Sequence, residues 1–473
     1  MPPEIDLLAI HRGSVTAPAG CGKTQLIADT VRSHPGGRPF LVLTHTNAGV
    51  VALRARLKRA GVQSSAYRLS TIDGFSMRLI AKFPARSGHA SGLLELRSPS
   101  SDYPAIRTAA RHLLEAGHVS NAIASTYSRL LVDEYQDCSL VQHGIISALA
   151  EILPTCVVGD PLQAIFGFRG NQLVEWVADV EARFPSAGIL SIPWRWQLSG
   201  AEALGRWLLS LRPLLSACQP IDLRNAPAEV RWVQLIPGNE AQQRLLASRV
   251  NAPGNEGTVL VIGDAMNVQG RHQLASQTPG AMSIEAVDLR DLISFARGFD
   301  IHAPSALQEL VSFCSDVMTG VGATNLVTRV GSLRSGRSRT PPTPIEWCAV
   351  NFDTERTMPH ALQLVNALTE HADTRIFRPE ILYCFRLAMQ TAINGGCDFL
   401  SAALQARERN RHLGRPIPRR SVGSTLLLKG LEADIAVVLH PETMTPENLY
   451  VALTRGSKVL VVCSHTPILN AQR

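Results

Sequence analysis

The chain has 473 residues, is 45% hydrophobic and 18% charged, and carries a net charge of +7 with a sequence pI near 9.1. Those values exclude a disordered chain and a small disulfide scaffold, and at ~100–200 residues per domain they predict about two to four domains. The positive balance favours a polyanionic partner.

The opening stretch "MPPEIDLLAIHRG" is too acidic, and its apolar run too short, for a signal peptide. No run reaches the ~18 apolar residues of a membrane span, so no membrane partner is expected. Nine cysteines are scattered without a C-x-x-C pair, which predicts reduced thiols in a cytoplasmic protein and no zinc site. The chain holds five lysines against forty-one arginines. A lysine here therefore hints at a place that wants a compact ammonium rather than a planar fork.

"SVTAPAGCGKTQLIADTVRSH" reads as strand, glycine turn and helix, and "PFLVLTHTNAGVVALRARLKRAG" repeats the order, with Gly61 as a stop. Residues 83–125 interrupt this pattern with helices and loops. "RLLVDE" and "TCVVGD" are short apolar runs that end in acidic residues. From about residue 194 a second α/β pattern begins, with "TVLVIGD", "DIAVVLH" and "KVLVVCS" as its strands. Residues 301–420 are poorly patterned and rich in arginine turns, and read as an inserted domain. Those arginines fit solvated faces and a nucleic-acid contact equally well. Strands alternating with helices predict α/β lobes with parallel sheets, whose ligands gather at the carboxyl ends of the strands.

"APAGCGKT", residues 17–24, lies between a predicted strand and a helix, the context a phosphate-binding loop needs. Gly20 and Gly22 would let the loop of Ala17, Pro18, Ala19, Gly20, Cys21 and Gly22 wrap phosphate oxygens with its backbone N–H groups, Pro18 having none to give. Lys23 would reach the β- and γ-phosphates, and the Thr24 hydroxyl would hold Mg²⁺. The alternative is a glycine turn with a chance Gly-Lys-Thr. "LLVDEYQD" ends a buried strand in carboxylates, an arrangement that repulsion and desolvation disfavour unless a cation sits there. Asp133, expected on a neighbouring strand, would bind the same Mg²⁺. Glu134 would orient and deprotonate a water for attack on the γ-phosphorus. Asp137 fits better as an acid at a helix start. Phe166 and Phe168, on residues alone, read as a half-buried strand face. A P-loop kinase or transferase would need an acceptor site besides.

With those motifs in order, the chain resembles superfamily 1 helicases of the UvrD/PcrA/Rep type. "VTAPAGCGKT" is similar to their Walker A, "LTHTNAGVVALRARL" to motif Ia and "STIDGFSMRLI" to the DNA-contact motif after it. "LLVDEYQD" resembles motif II, "VVGDPLQAIFGFRG" motif III, "SIPWRW" motif IV, "STLLLKGLEADIAVVL" motif V and "NLYVALTRGSKVLVV" motif VI. The resemblance implies two RecA-like domains with ATP and Mg²⁺ between them. In this scheme 1A is residues 1–82 and 126–193, with a reduced 1B insertion at 83–125; 2A is 194–300 and 421–473, with a reduced 2B insertion at 301–420.

It also implies roles. Gln163 would sense the γ-phosphate, Arg195 and Arg455 would reach it from the second domain, Glu432 would touch the ribose, and Tyr450 would lie near the nucleotide. Phe166 and Phe168 would stack bases of single-stranded DNA. His45, Thr46, Asn47 and Arg169 would contact DNA, and Lys429 would contact DNA or wire the motifs together. The implied activity is ATP-driven DNA translocation with 3′-to-5′ helicase polarity on single-stranded, tailed or gapped duplex DNA. A nucleotide-gated DNA sensor that switches on a nuclease is the second reading. There are departures. No Gln precedes Ala17 where the adenine-reading motif belongs. Leu426 replaces the motif V histidine, and Asp73–Gly74 replace His-Ser in the DNA-contact motif. The short insertions resemble the helicase component of Gabija-type anti-phage systems, which works with a separate nuclease.

Overall fold

The computed structural model describes residues 4–34, 36–90, 92–167, 172–412 and 418–472. Short apolar runs such as Phe40–Thr44, Thr155–Gly159 and Val259–Ile262 are buried along their whole length. That is the pattern of central strands in parallel sheets covered on both faces. They form two six-stranded sheets, parallel throughout. The mixed α/β fold is that of two RecA-like lobes.

The first sheet runs in the order Tyr67–Thr71, Phe40–Thr44, Arg129–Val132, Thr155–Gly159, Arg12–Thr16, Ser186–Ile189. One expectation is corrected here. The strand leading to Asp133 is not the direct neighbour of Arg12–Thr16, because Thr155–Gly159 lies between and pairs with both. Two strand spacings, roughly 10 Å, therefore separate the glycine loop from the carboxylates. That gap leaves room for a phosphate chain.

The second sheet runs Ala281–Ser283, Arg420–Gly423, Val259–Ile262, Ala433–Val438, Gly456–Ser464, Val230–Gln234. All nine cysteines are free thiols, and no described helix is long and apolar enough to cross a membrane.

Residues 83–125 do not build a core of their own. The helix Pro99–Glu115 brings Ile106, Ala110, Leu113 and Leu114 into one cluster with Leu130, Val132 and Ile145 of the first lobe. Its Arg107 forms a two-pronged ion pair with Asp73, at 2.7 Å on each prong. The helical insertion of the second lobe has its own core, which spans Leu289 to Ala406. Its first helix, Arg290–Gly298, precedes residue 301, where the sequence pattern puts the insertion's start. That helix is strongly amphipathic, and its apolar face joins the aromatic stack of Phe295, Phe299 and Phe313.

This insertion is also fastened at its middle. Phe377 enters the core of the second sheet, and its carbonyl accepts from the Ser283 N–H at 2.7 Å. Arg378 is buried and bonds Glu285 at 2.8 Å and Asp291 at 2.6 Å.

Candidate nucleotide and nucleic-acid site

The loop after Arg12–Thr16 turns through Gly20 (φ 72°) and Gly22 (φ 83°), both in the left-handed region that glycine tolerates. Space demands glycine too. A Cβ on Gly20 would come within 2.4 Å of Trp196, and one on Gly22 within 3.0 Å of Trp194. The helix Lys23–Arg32 begins without a capping side chain or an acid in its first turn. Its free N–H groups and positive end therefore face the loop, an arrangement suited to phosphate.

Lys23 Nζ lies 3.3 Å from Asp133 Oδ1 and 2.5 Å from Glu134 Oε1. Burial would lower the lysine's pKa, but Asp133 and Glu134 hold it above the ordinary value. Burial pushes the Asp133 carboxyl up against the pull of Lys23. Burial also works to raise Glu134, yet Lys23 and then Lys429 outweigh it and hold Glu134 down, at about 2. Glu134 has φ 55°, a strained backbone for a side-chain-bearing residue. Its Oε2 accepts from Gln136 Nε2 at 2.5 Å.

Thr24 is half-buried beside this group. A hydroxyl and a carboxylate are hard oxygen donors and fit Mg²⁺. Among the described residues no cluster of three or more His, Cys, Asp or Glu is arranged to hold a metal. Mg²⁺ usually needs no such cage, because it keeps waters and substrate phosphates as ligands.

The second lobe closes on the loop. The Ala19 N–H donates to the Tyr450 hydroxyl at 3.3 Å, and the Arg195 N–H to the Gly20 carbonyl at 3.0 Å. The Arg195 guanidinium pairs with Glu432 and donates to the Thr454 carbonyl. Arg455 is buried and donates to the Val451 and Leu431 carbonyls of its own lobe, at 2.8 and 3.2 Å. Burial first, and then the charge of Arg195, pull it down to about 10. Glu134 is near enough to act on it as well.

Gln163 donates to Asp160 Oδ2 at 2.9 Å. Phe166 stands 5.6 Å from His45, ring to ring, tilted at 51°. Thr46 caps the helix Asn47–Arg59 with its side chain, and Asn47 is exposed. Phe168 and Arg169 lie outside the described residues.

Asp137 is no helix-start acid. The following helix is capped by Ser139, and Asp137 is buried with its Oδ2 2.5 Å from Lys429 Nζ. Burial pushes its carboxyl up to about 7 against that ammonium.

Sequence reasoning missed Arg212. Its guanidinium forks onto Asp160 at 2.8 and 2.9 Å and also reaches the Tyr450 hydroxyl at 2.9 Å. A signal was present: Arg212 follows Leu208 and Leu211 on an otherwise buried stripe, and a charge in such a stripe asks for a partner. Trp194 and Trp196 stand in "SIPWRW" with nothing in the sequence to tie them to the phosphate loop, yet both pack on it.

Residues 96–181 match the UvrD/REP helicase N-terminal domain. No curated protein matches the chain. The matched segment carries Asp133, Glu134, Asp160 and Gln163 and supports a UvrD-like helicase, an enzyme class that couples ATP to work on DNA.

Proposed function

We propose that the chain is an ATP-driven DNA translocase and helicase of 3′-to-5′ polarity, cytoplasmic, acting on single-stranded DNA or on tailed and gapped duplexes. The observation that carries this reading is Lys23 held between Asp133 and Glu134, with Arg195, Glu432 and Arg455 of a second RecA-like lobe beside them.

In this reading the loop from Ala17 to Gly22 and Lys23 hold the phosphates, and Tyr450 and Glu432 hold the nucleoside side. Thr24 and Asp133 would hold Mg²⁺, which when bound neutralises phosphate charge. As Lys23 turns from Glu134 to phosphate, Glu134 loses its nearest positive charge. Its pKa then rises toward the ordinary carboxylate range, and it becomes a better acceptor for a water proton. Arg195 and Arg455 supply positive charge from the second lobe, and Gln163 relays the phosphate's presence through Asp160. Phe166 and Phe168 would stack on bases, and Thr46, Asn47 and Arg169 would contact the DNA. Each cycle of closing and opening moves that grip.

The test is ATPase rate against rising single-stranded DNA, alongside unwinding of a 3′-tailed duplex, for wild type and Glu134→Gln. Stimulation and unwinding, both lost in the variant by about 100-fold or more, support the reading. An ATPase indifferent to every DNA would overturn it.

The second reading, a nucleotide-gated DNA sensor that switches on a separate nuclease as in Gabija-type defence, is favoured by one observation. Residues 83–125 are absorbed into the first lobe's core rather than set out as a domain to engage a duplex. Stimulated ATPase without strand separation would select it.

A further inference from the structure

We propose that the groove between the second lobe and its helical insertion binds an aliphatic polyamine about as long as spermidine. The groove shares no residue with the nucleotide site, and its assignment does not rest on the translocase reading.

The groove is a cavity of about 790 Å³. That volume is in the range of ligand sites, and a seam between domains is where such sites gather. The helix Val268–Gln277 of the second lobe forms one wall. The helices Arg290–Gly298 and Ala306–Val317 of the insertion form the other. Phe377 and Arg378, which fasten the insertion to the lobe, line it as well.

The charge of the groove is opposite to that of the chain. Asp291, Glu309 and Asp316 line it, and among the described residues Arg378 is the one lysine or arginine that does. That guanidinium is already committed to Glu285, to Asp291 and to the Asp316 carbonyl. Glu309 accepts from the Ser305 hydroxyl at 2.6 Å. Among the described residues no basic side chain pairs with Glu309 or with the Asp316 carboxylate. Burial pushes the Asp316 carboxyl up; Arg378 pulls it down and Asp291 adds to the rise. A phosphate backbone would be repelled here, and a cation drawn in.

His272 gives an independent sign. It lines the same cavity and is 7% exposed. Its Nε2 faces Glu285 Oε1 at 3.6 Å. A carboxylate only accepts, so Nε2 carries the ring proton. Burial first, and then the charge of Arg378, hold the ring's pKa below its ordinary value, so the neutral form prevails. Nδ1 is then an acceptor, and it is buried with no partner. A buried acceptor left in this state calls for a donor.

The rings and the spacing of the acids set the class of ligand. Phe295 stacks on Phe299 at 4.8 Å and on Phe313 at 4.3 Å, and all three line the cavity. They offer apolar cover to a methylene stem and π faces to an ammonium. Glu309 and Asp316 stand seven residues apart on the helix Ala306–Val317. They therefore share a face and lie about 10.5 Å apart along it. An extended triamine reaches that far, with the Ser312 hydroxyl between the two acids for its middle nitrogen. A single ammonium head would meet one acid and leave the other bare.

The experiment is calorimetric titration of the full chain, free of DNA and nucleotide, with spermidine and separately with trilysine at fixed salt. It uses wild type, Asp316→Asn and Ser312→Arg. Both positions are exposed, so neither change threatens the core. The expected result is one-site spermidine binding to wild type. Asp316→Asn should weaken it about 5-fold, the worth of one exposed ion pair. Ser312→Arg should abolish it by placing a resident cation and its stem in the groove. A wild type without saturable binding overturns the proposal, as does binding that either variant leaves unchanged. Trilysine bound more tightly than spermidine overturns the free polyamine and gives the groove to a basic protein segment.

Discussion

Replacing Arg212 by leucine tests whether the two lobes are joined by a buried charge. Asp160 is fully buried, and four donors reach it: the Leu162 N–H at 3.2 Å, Gln163 at 2.9 Å and the two prongs of Arg212 at 2.8 and 2.9 Å. Arg212→Leu removes both charge-assisted bonds and leaves the carboxylate with neutral partners alone. Stranding one member of a buried pair costs about 3–5 kcal/mol, well above the ~1 kcal/mol of an ordinary hydrogen bond. Asp160→Asn in the same chain removes the stranded charge, so the double variant should recover much of the loss. Urea unfolding of wild type, both single variants and the double closes the cycle. Because the pair spans two lobes, midpoints followed by tryptophan fluorescence are compared rather than one extrapolated free energy. An Arg212→Leu midpoint equal to that of wild type, or a double variant no better than the single, would refute the account.

Gly20→Ala should abolish nucleotide binding, since it meets Trp196 at 2.4 Å and adopts a φ of 72°; retained binding by fluorescent-nucleotide titration would contradict this. Trp194→Ala removes the half-buried indole beside Gly22, which in the nucleotide-site reading would stack on the base. It should raise the KM for ATP about tenfold, a loss on the scale of base–aromatic stacking, with a smaller change in kcat. Burial holds His45 down at about 4 from 6.5, with Asp73, Lys429, Arg107 and Glu134 as the charges that act on it. Its unfolded form takes up a proton first, so stability falls as pH drops from about 6.5 toward 4, by at most about 3 kcal/mol. His45→Phe should flatten that acid limb; an unchanged acid limb of the unfolding curve would contradict the assignment.

The parts of the site legible in the sequence are those whose chemistry is local. The Gly20–Thr24 turn must be contiguous to wrap a phosphate, and Asp133–Glu134 announces itself because carboxylates rarely end a buried strand. Asp160 carried the same signal at the end of "TCVVGD". Its partner could not be read, because Arg212 meets it only through the docking of two lobes. The Asp137–Lys429 pair is hidden for the same reason: nothing near either residue in the chain specifies the other. Strand order escaped as well, since apolar runs reveal that strands are central but not which ones pair. Residues 83–125 looked like an interruption because their helices are spaced unlike the repeats around them. Their apolar residues nevertheless face the first lobe's core.

The fastening of Phe377 and Arg378 bears on how force would travel through the molecule. A lobe spliced into a host by its two ends alone can turn about the line through them. Here a third crossing, with Phe377 seated in the host core and Arg378 tied to Glu285 and Asp291, takes that freedom away. A load applied to the helical lobe passes straight into the edge strand Ala281–Ser283 and on to Arg420–Gly423. Just beyond that strand the chain reaches the turn bearing Lys429. The helical lobe is thus part of the same lever arm as the residue that pairs with Asp137 of the first lobe.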